Sequence, residues 1–136
     1  MILRYLIILL VILPVKVFAL IEVDIIRGNL SPLPVAVSPL SIDKKSKNGF
    51  EKILKTQDLG LEISIIVENN LRQSGLFNPL NKDAFLQKPD IANLKPRFED
   101  WNLIKAQALI TGKVSLVDKK LRVEFRLWDV LAGKEM

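Results

Sequence analysis

The groups in this chain that could do chemistry are few, and the carboxylates come first. Glu22 and Asp24 lie two apart in an extended segment, and Glu99 and Asp100 are neighbours in a predicted helix. Two carboxyl groups held at a fixed separation are the machinery of glycoside hydrolysis, one acting as acid and the other as base or nucleophile. Acidic side chains on one strand face are far more often a solvated surface, and that reading is taken for Glu22 and Asp24. Ser41, Ser46, Ser64, Ser74 and Ser115 offer hydroxyls, but the chain contains no histidine to activate one. The same absence removes the commonest metal ligand and general base. Without cysteine there is no thiol chemistry, no disulfide and no lipid-modified cysteine. The six glycines are scattered and form no phosphate-cradling loop. Residue chemistry therefore predicts no catalysis, no cofactor, no metal and no small-molecule substrate.

What the chain does offer is patterned apolar sequence, and the first stretch of it is a leader. Met1–Ala19 reads as a secretory signal peptide, with Arg4 as the positive start and Tyr5–Leu13 as the apolar run. Val17 and Ala19 are small enough for a cleavage site after Ala19. A retained membrane anchor is the competing reading, but about 20 apolar residues are needed to span, and Pro14 and Lys16 interrupt this run. The formal charge is +5 over all 136 residues. Losing Arg4 and Lys16 makes it milder still, and no aromatic and basic stripe accompanies it, so no nucleic acid is expected. The exported product would be soluble.

The dominant element is Gln57–Ser74, where Leu59, Ile63, Ile66, Val67 and Leu71 recur at helical spacing. Leu61 and Ile65 widen the stripe, so much of the helix circumference is expected to be buried. Thr56 or Asp58 can cap its start, and Gly75 suits the left-handed stop, with Leu71 and Leu76 touching across it. Before the helix, Leu20–Arg27 reads as a strand or extended arm, Pro34–Pro39 as a short buried strand, and the lysine-rich Ser41–Lys55 as a solvated loop. After it come the extended Leu76–Leu80, a loop over Asn81–Asn93, and a second helix from Pro96 to about Ile104 with Phe98, Trp101 and Ile104 on one face. Gln107–Val117 and Leu121–Val130 read as an antiparallel pair joined at Asp118, Lys119 and Lys120. Leu121, Val123, Phe125 and Leu127 alternate there with Arg122, Glu124, Arg126 and Trp128, so one face is read as wet. Ala132–Lys134 starts a further turn, after which another strand is expected. The predicted fold is α/β, a mixed sheet packed with two helices on one or both faces. The predicted core is Val35, Ile63, Ile66, Val67, Leu71, Phe77, Leu109 and Leu127, and Leu121–Val130 or its neighbour is expected to be an open sheet edge.

Several stretches resemble one family. Asn70–Leu80, NLRQSGLFNPL, is similar to the element after the first helix in the amino-terminal domain of the TolB family, periplasmic proteins of the Tol-Pal system. Pro34–Leu40, Trp101–Val114 (WNLIKAQALITGKV) and Val123–Met136 (VEFRLWDVLAGKEM) match further parts of that domain, in its order. Lys105 departs from the pattern, standing where the family often has glycine, and Ser41–Lys55 is longer and more basic than usual. The resemblance implies residues 1–19 as signal peptide, 20–33 as an amino-terminal arm, and 34–136 as a domain that is incomplete at its carboxyl end, without the family's β-propeller. It implies a non-catalytic periplasmic interaction protein of a system that supports envelope integrity and cell constriction. In that family the arm binds the carboxy-terminal domain of TolA. The matching residues here are Leu20, Ile21, Glu22, Val23, Asp24, Ile25, Ile26 and Arg27. Contact with the lipoprotein Pal lies largely on the propeller and is not expected of this chain. A secreted α/β hydrolase and a stand-alone envelope protein are the alternative readings.

Overall fold

The computed structural model describes residues 31–46 and 58–136. One sheet organises them. β1 (Leu33–Val37) is central, with β3 (Phe77–Pro79) parallel on one side and β4 (Ala108–Val117) parallel on the other. β5 (Lys120–Asp129) returns antiparallel along the whole of β4, and β6 (Lys134–Glu135) pairs with the end of β5. A short β2 (Ser41–Ile42) continues alongside β4 beyond β1. It falls in the stretch read as loop: the chain bulges at Ser38–Leu40 and rejoins the ladder, where Ser41 Oγ donates to the Gly112 carbonyl at 3.1 Å.

Strand alternation decides which residue meets which layer. Val35 and Val37 of β1, with Ala108 of β4, face α1 (Leu59–Gln73), and Val67, Leu71, Phe77 and Ile110 pack around them. Ala36 points the other way. It joins Leu109, Trp128 and Val130 beneath two short helices, α2 (Pro89–Leu94) and α3 (Phe98–Leu103), which contribute Ala92 and Trp101. A third cluster of Leu40, Leu59 and Val114 closes the far end of the α1 side. The mixed sheet with helices on both faces is the expected α/β class. α2 was not expected, because its apolar residues are too few to show a period. Pro89 occupies its first turn, where a missing N–H costs nothing.

The stop of α1 follows its chemistry. Gly75 has φ +71°, and Ser74 Oγ accepts from Leu76 N–H at 3.2 Å. Leu76 itself is exposed. Asp58 stands at the N-cap but makes no side-chain capping bond. Thr56 lies outside the described residues.

The helix face needs correction. Only Leu59, Gly60 and Ser64 of α1 are buried, and Ile63, Val67 and Leu71 are half-buried. Ile66 is 60% exposed and Ile65 42% exposed. α1 lies over β1, β2 and β3. A helix about 10 Å wide covers roughly two strands at about 4.8 Å spacing, so β5 is left uncovered. Leu127, predicted as core, is accordingly 42% exposed, and Phe125 50%. Trp128 corrects the strand reading in the opposite sense. It sits in register with Leu109 and is buried with it, although its neighbours on the same face, Arg122, Glu124 and Arg126, are exposed. Ile66→Gln is therefore expected to change stability by less than about 0.5 kcal/mol in a denaturant titration, as for other surface substitutions.

Candidate interaction site

The carboxylates do not form a reacting pair in the described residues. Glu99 is exposed, and Asp100 accepts from the guanidinium of Arg97 at 2.7 Å, an exposed pair one turn apart that contributes little to stability. Glu22 and Asp24 lie outside the described residues. No group of three or more acidic side chains with metal-binding geometry occurs among the described residues, and no helix there is long and apolar enough to cross a membrane.

Leu20–Arg27 also lies outside the described residues, but its point of attachment does not. The chain enters the sheet at Leu33, whose N–H donates to the Leu76 carbonyl at 2.9 Å. β1 is flanked on both sides, by β3 and by β4. The chain preceding β1 therefore joins a strand that pairs with β3 over Leu33–Val35 and with β4 over Val35–Val37.

Two surfaces remain. The first is an apolar groove of ≈ 280 Å³ between α1 and β5, lined by Val67, Ile110, Phe125, Arg126 and Leu127. Leu121, 49% exposed, extends its apolar wall along β5. β6 pairs with Trp128 and Asp129 only, and Met136 N–H reaches the Leu127 carbonyl. The outer edge of β5 from Lys120 to Arg126 has no strand partner among the described residues, as the sequence led us to expect. The second surface is the charged side of the same strand. There Arg122 pairs with Glu124 at 3.0 Å, and Arg126 reaches the Asn93 carbonyl at 2.8 Å. The alternation over Leu121–Leu127 was the signal for both, but it could not say that one helix would fail to reach the apolar side.

The turn at Lys105 shows how a departure from pattern is absorbed. Lys105 has φ +61°, the left-handed region where glycine carries no steric penalty. Its N–H donates to the Asn102 carbonyl and the next N–H, of Ala106, to the Trp101 carbonyl. The backbone keeps the glycine conformation with a lysine in place.

Residues 21–136 match the family described as the TolB amino-terminal domain. The chain belongs to that family. It is 82% identical over 136 residues to the Tol-Pal system protein TolB of Pelagibacter ubique (strain HTCC1062), covering 100% of this chain and 30% of that relative. The chain thus spans about a third of the length of the curated TolB it matches. The crystal structure of TolB from Acinetobacter baumannii has the same fold. The two superpose with a TM-score of 0.53 at 20% sequence identity, over 76% of this chain and 21% of that one. The paired β4 and β5, the α1 helix and its Gly75 stop are therefore features of a TolB amino-terminal domain in this chain.

Proposed function

We propose that this chain is a non-catalytic interaction domain of the Tol-Pal envelope system, exported to the periplasm after cleavage at Ala19, and that Leu20–Arg27 is its ligand for a TolA-like carboxy-terminal domain. The single observation that carries the reading is the 82% identity to a Tol-Pal system TolB along the whole of this chain, residues 20–27 included. The division into leader (1–19), arm (20–33) and domain (34–136) belongs to the same proposal.

The arm's own chemistry supports the mode. Ile21, Val23 and Ile25 alternate with Glu22 and Asp24, so an extended conformation has one apolar and one acidic face, and Ile26 breaks the alternation. Leaving such apolar side chains in water costs about 1.5–3 kcal/mol each relative to burial. Adding the arm as a strand to a partner's sheet edge buries that face and satisfies its backbone. The acidic face then favours a basic edge and a salt-sensitive association. Gly28, Pro32 and Pro34 follow, a composition that separates the arm from the domain more than it welds the two together. The Pal contact implied for the propeller is not assigned to this chain.

Deleting residues 20–27 tests the proposal. Binding to a TolA-like carboxy-terminal domain, read by calorimetry, should vanish while the melting temperature hardly moves. A deletion that unfolds the domain, or that leaves binding intact, sinks the assignment.

A further inference from the structure

Beyond the carboxyl end of β1, the segment between β3 and α2 forms a cleft of ≈ 270 Å³ lined by Pro39, Lys82, Phe85, Leu86, Gln87, Lys88 and Pro89. At its back, Gln87 is 6% exposed. Its Oε1 accepts two hydrogen bonds, from Trp101 Nε1 at 2.8 Å and from the Arg97 N–H at 2.9 Å. Two donors on one oxygen fix the amide's orientation, because the nitrogen cannot accept either of them. The Nε2 amide is buried and has no partner in the structure. An unpaired buried donor costs about 1–3 kcal/mol, a cost that an acceptor brought to Nε2 would relieve.

The rest of the cleft says what kind of acceptor. Lys82 and Lys88 stand beside it as cations. Lys82 is held in a part-buried ion pair with Glu68, and Lys88 has no acidic partner among the described residues. Phe85, Leu86, Pro39 and Pro89 supply apolar walls, and Leu86 is 62% exposed. Donors without acceptors, one uncommitted ammonium and apolar sides match a small anion with an apolar body.

We propose that this cleft binds a carboxylate carried on an apolar residue, as at the free C-terminus of a peptide, with Gln87 Nε2 donating to the carboxylate and Lys88 supplying its counter-charge. The volume accommodates one terminal residue rather than a longer segment. Gln87 is then a binding group, held in position by Trp101.

The Gln87 side-chain amide gives a direct NMR readout on the full chain. N-acetyl-leucyl-phenylalanine with a free carboxylate is expected to shift the Gln87 amide signals saturably. Its C-terminal amide form should leave them in place. Hexanoate tests the other source of the same chemistry, a fatty acid, and should bind more weakly than the peptide. Gln87→Glu keeps the acceptor for Trp101 and Arg97 but removes the donor, and should weaken peptide binding about tenfold or more, the range for a hydrogen bond to a charged group. Lys88→Glu alters an exposed side chain and should weaken binding with no change in melting temperature, so it decides the matter even where Gln87→Glu fails to fold. Equal shifts from acid and amide, undiminished binding in Lys88→Glu, tighter binding of hexanoate, or no shift at millimolar peptide would each overturn the proposal.

Discussion

Trp101→Ala is expected to destabilise the domain by about 3–5 kcal/mol, the range for removing a buried tryptophan. That is a large part of the total stability of an ordinary domain, about 5–15 kcal/mol. Trp101 is 1% exposed at the centre of the cluster between the sheet and α3. Phe85 meets it edge-on with ring centroids 5.0 Å apart, and its Nε1 donates to Gln87 Oε1 at 2.8 Å. The truncation thus loses apolar burial, an aromatic contact and a buried hydrogen bond together. Trp101→Phe separates these losses in part, because it keeps a ring against Phe85 while losing the donor and some of the indole's volume. Its cost should be clearly smaller, since Gln87 Oε1 still accepts from Arg97. Chemical denaturation of both variants checks the order, and a Trp101→Ala loss below about 1 kcal/mol would mean that this cluster is not the core.

Gly60→Ala is expected to cost about 1–3 kcal/mol or more despite the better helix propensity of alanine, which on its own favours the change by about 0.8–1.0 kcal/mol. A Cβ at position 60 would lie 2.0 Å from the Leu40 carbonyl oxygen. That oxygen is backbone, in the connection from β1 to β2, and Leu40 N–H donates to the Gly60 carbonyl at 3.1 Å. The first turn of α1 is therefore laid directly on the sheet's own connection, and any side chain must lift it off. Lifting it opens the Leu40, Leu59 and Val114 cluster as well. Gly75→Ala makes the contrast, since nothing stands within 4 Å of its Cβ position. Its cost comes from the positive φ alone, about 1–2 kcal/mol. Melting temperatures of the two variants distinguish a steric glycine from a conformational one, and a Gly60→Ala protein as stable as the parent would rule out the close approach.

Local pattern determined much of this protein. The period of Leu59–Leu71 and the glycine at position 75 placed α1 and its end, because helix periodicity and a positive φ are properties of a few adjacent residues. Asp118 and Lys119, with φ +49° and +60°, close the tight hairpin that the flanking alternation required. Phe98, Trp101 and Ile104 were assigned one face, and all three meet the same cluster. The resemblance to the TolB family lay in the order of these elements, which is a sequence property too.

The tertiary structure alone decided how far each layer reaches. Ile66 and Leu127 carry the same apolar character as Val67 and Leu109, yet they face water, because one helix covers about half of the sheet. Trp128 stands in a run of charged residues and is buried, because its register partner Leu109 lies in the cluster beneath α2 and α3, whereas Arg122 and Glu124 remain exposed. The indole Nε1 then finds Thr111 Oγ1 at 2.8 Å across the ladder. Gln87 gives no sequence signal at all. Its role comes from a contact with Trp101 fourteen positions away, and a hydrogen bond of that span is set by how α3 packs against the segment before α2, not by any local pattern.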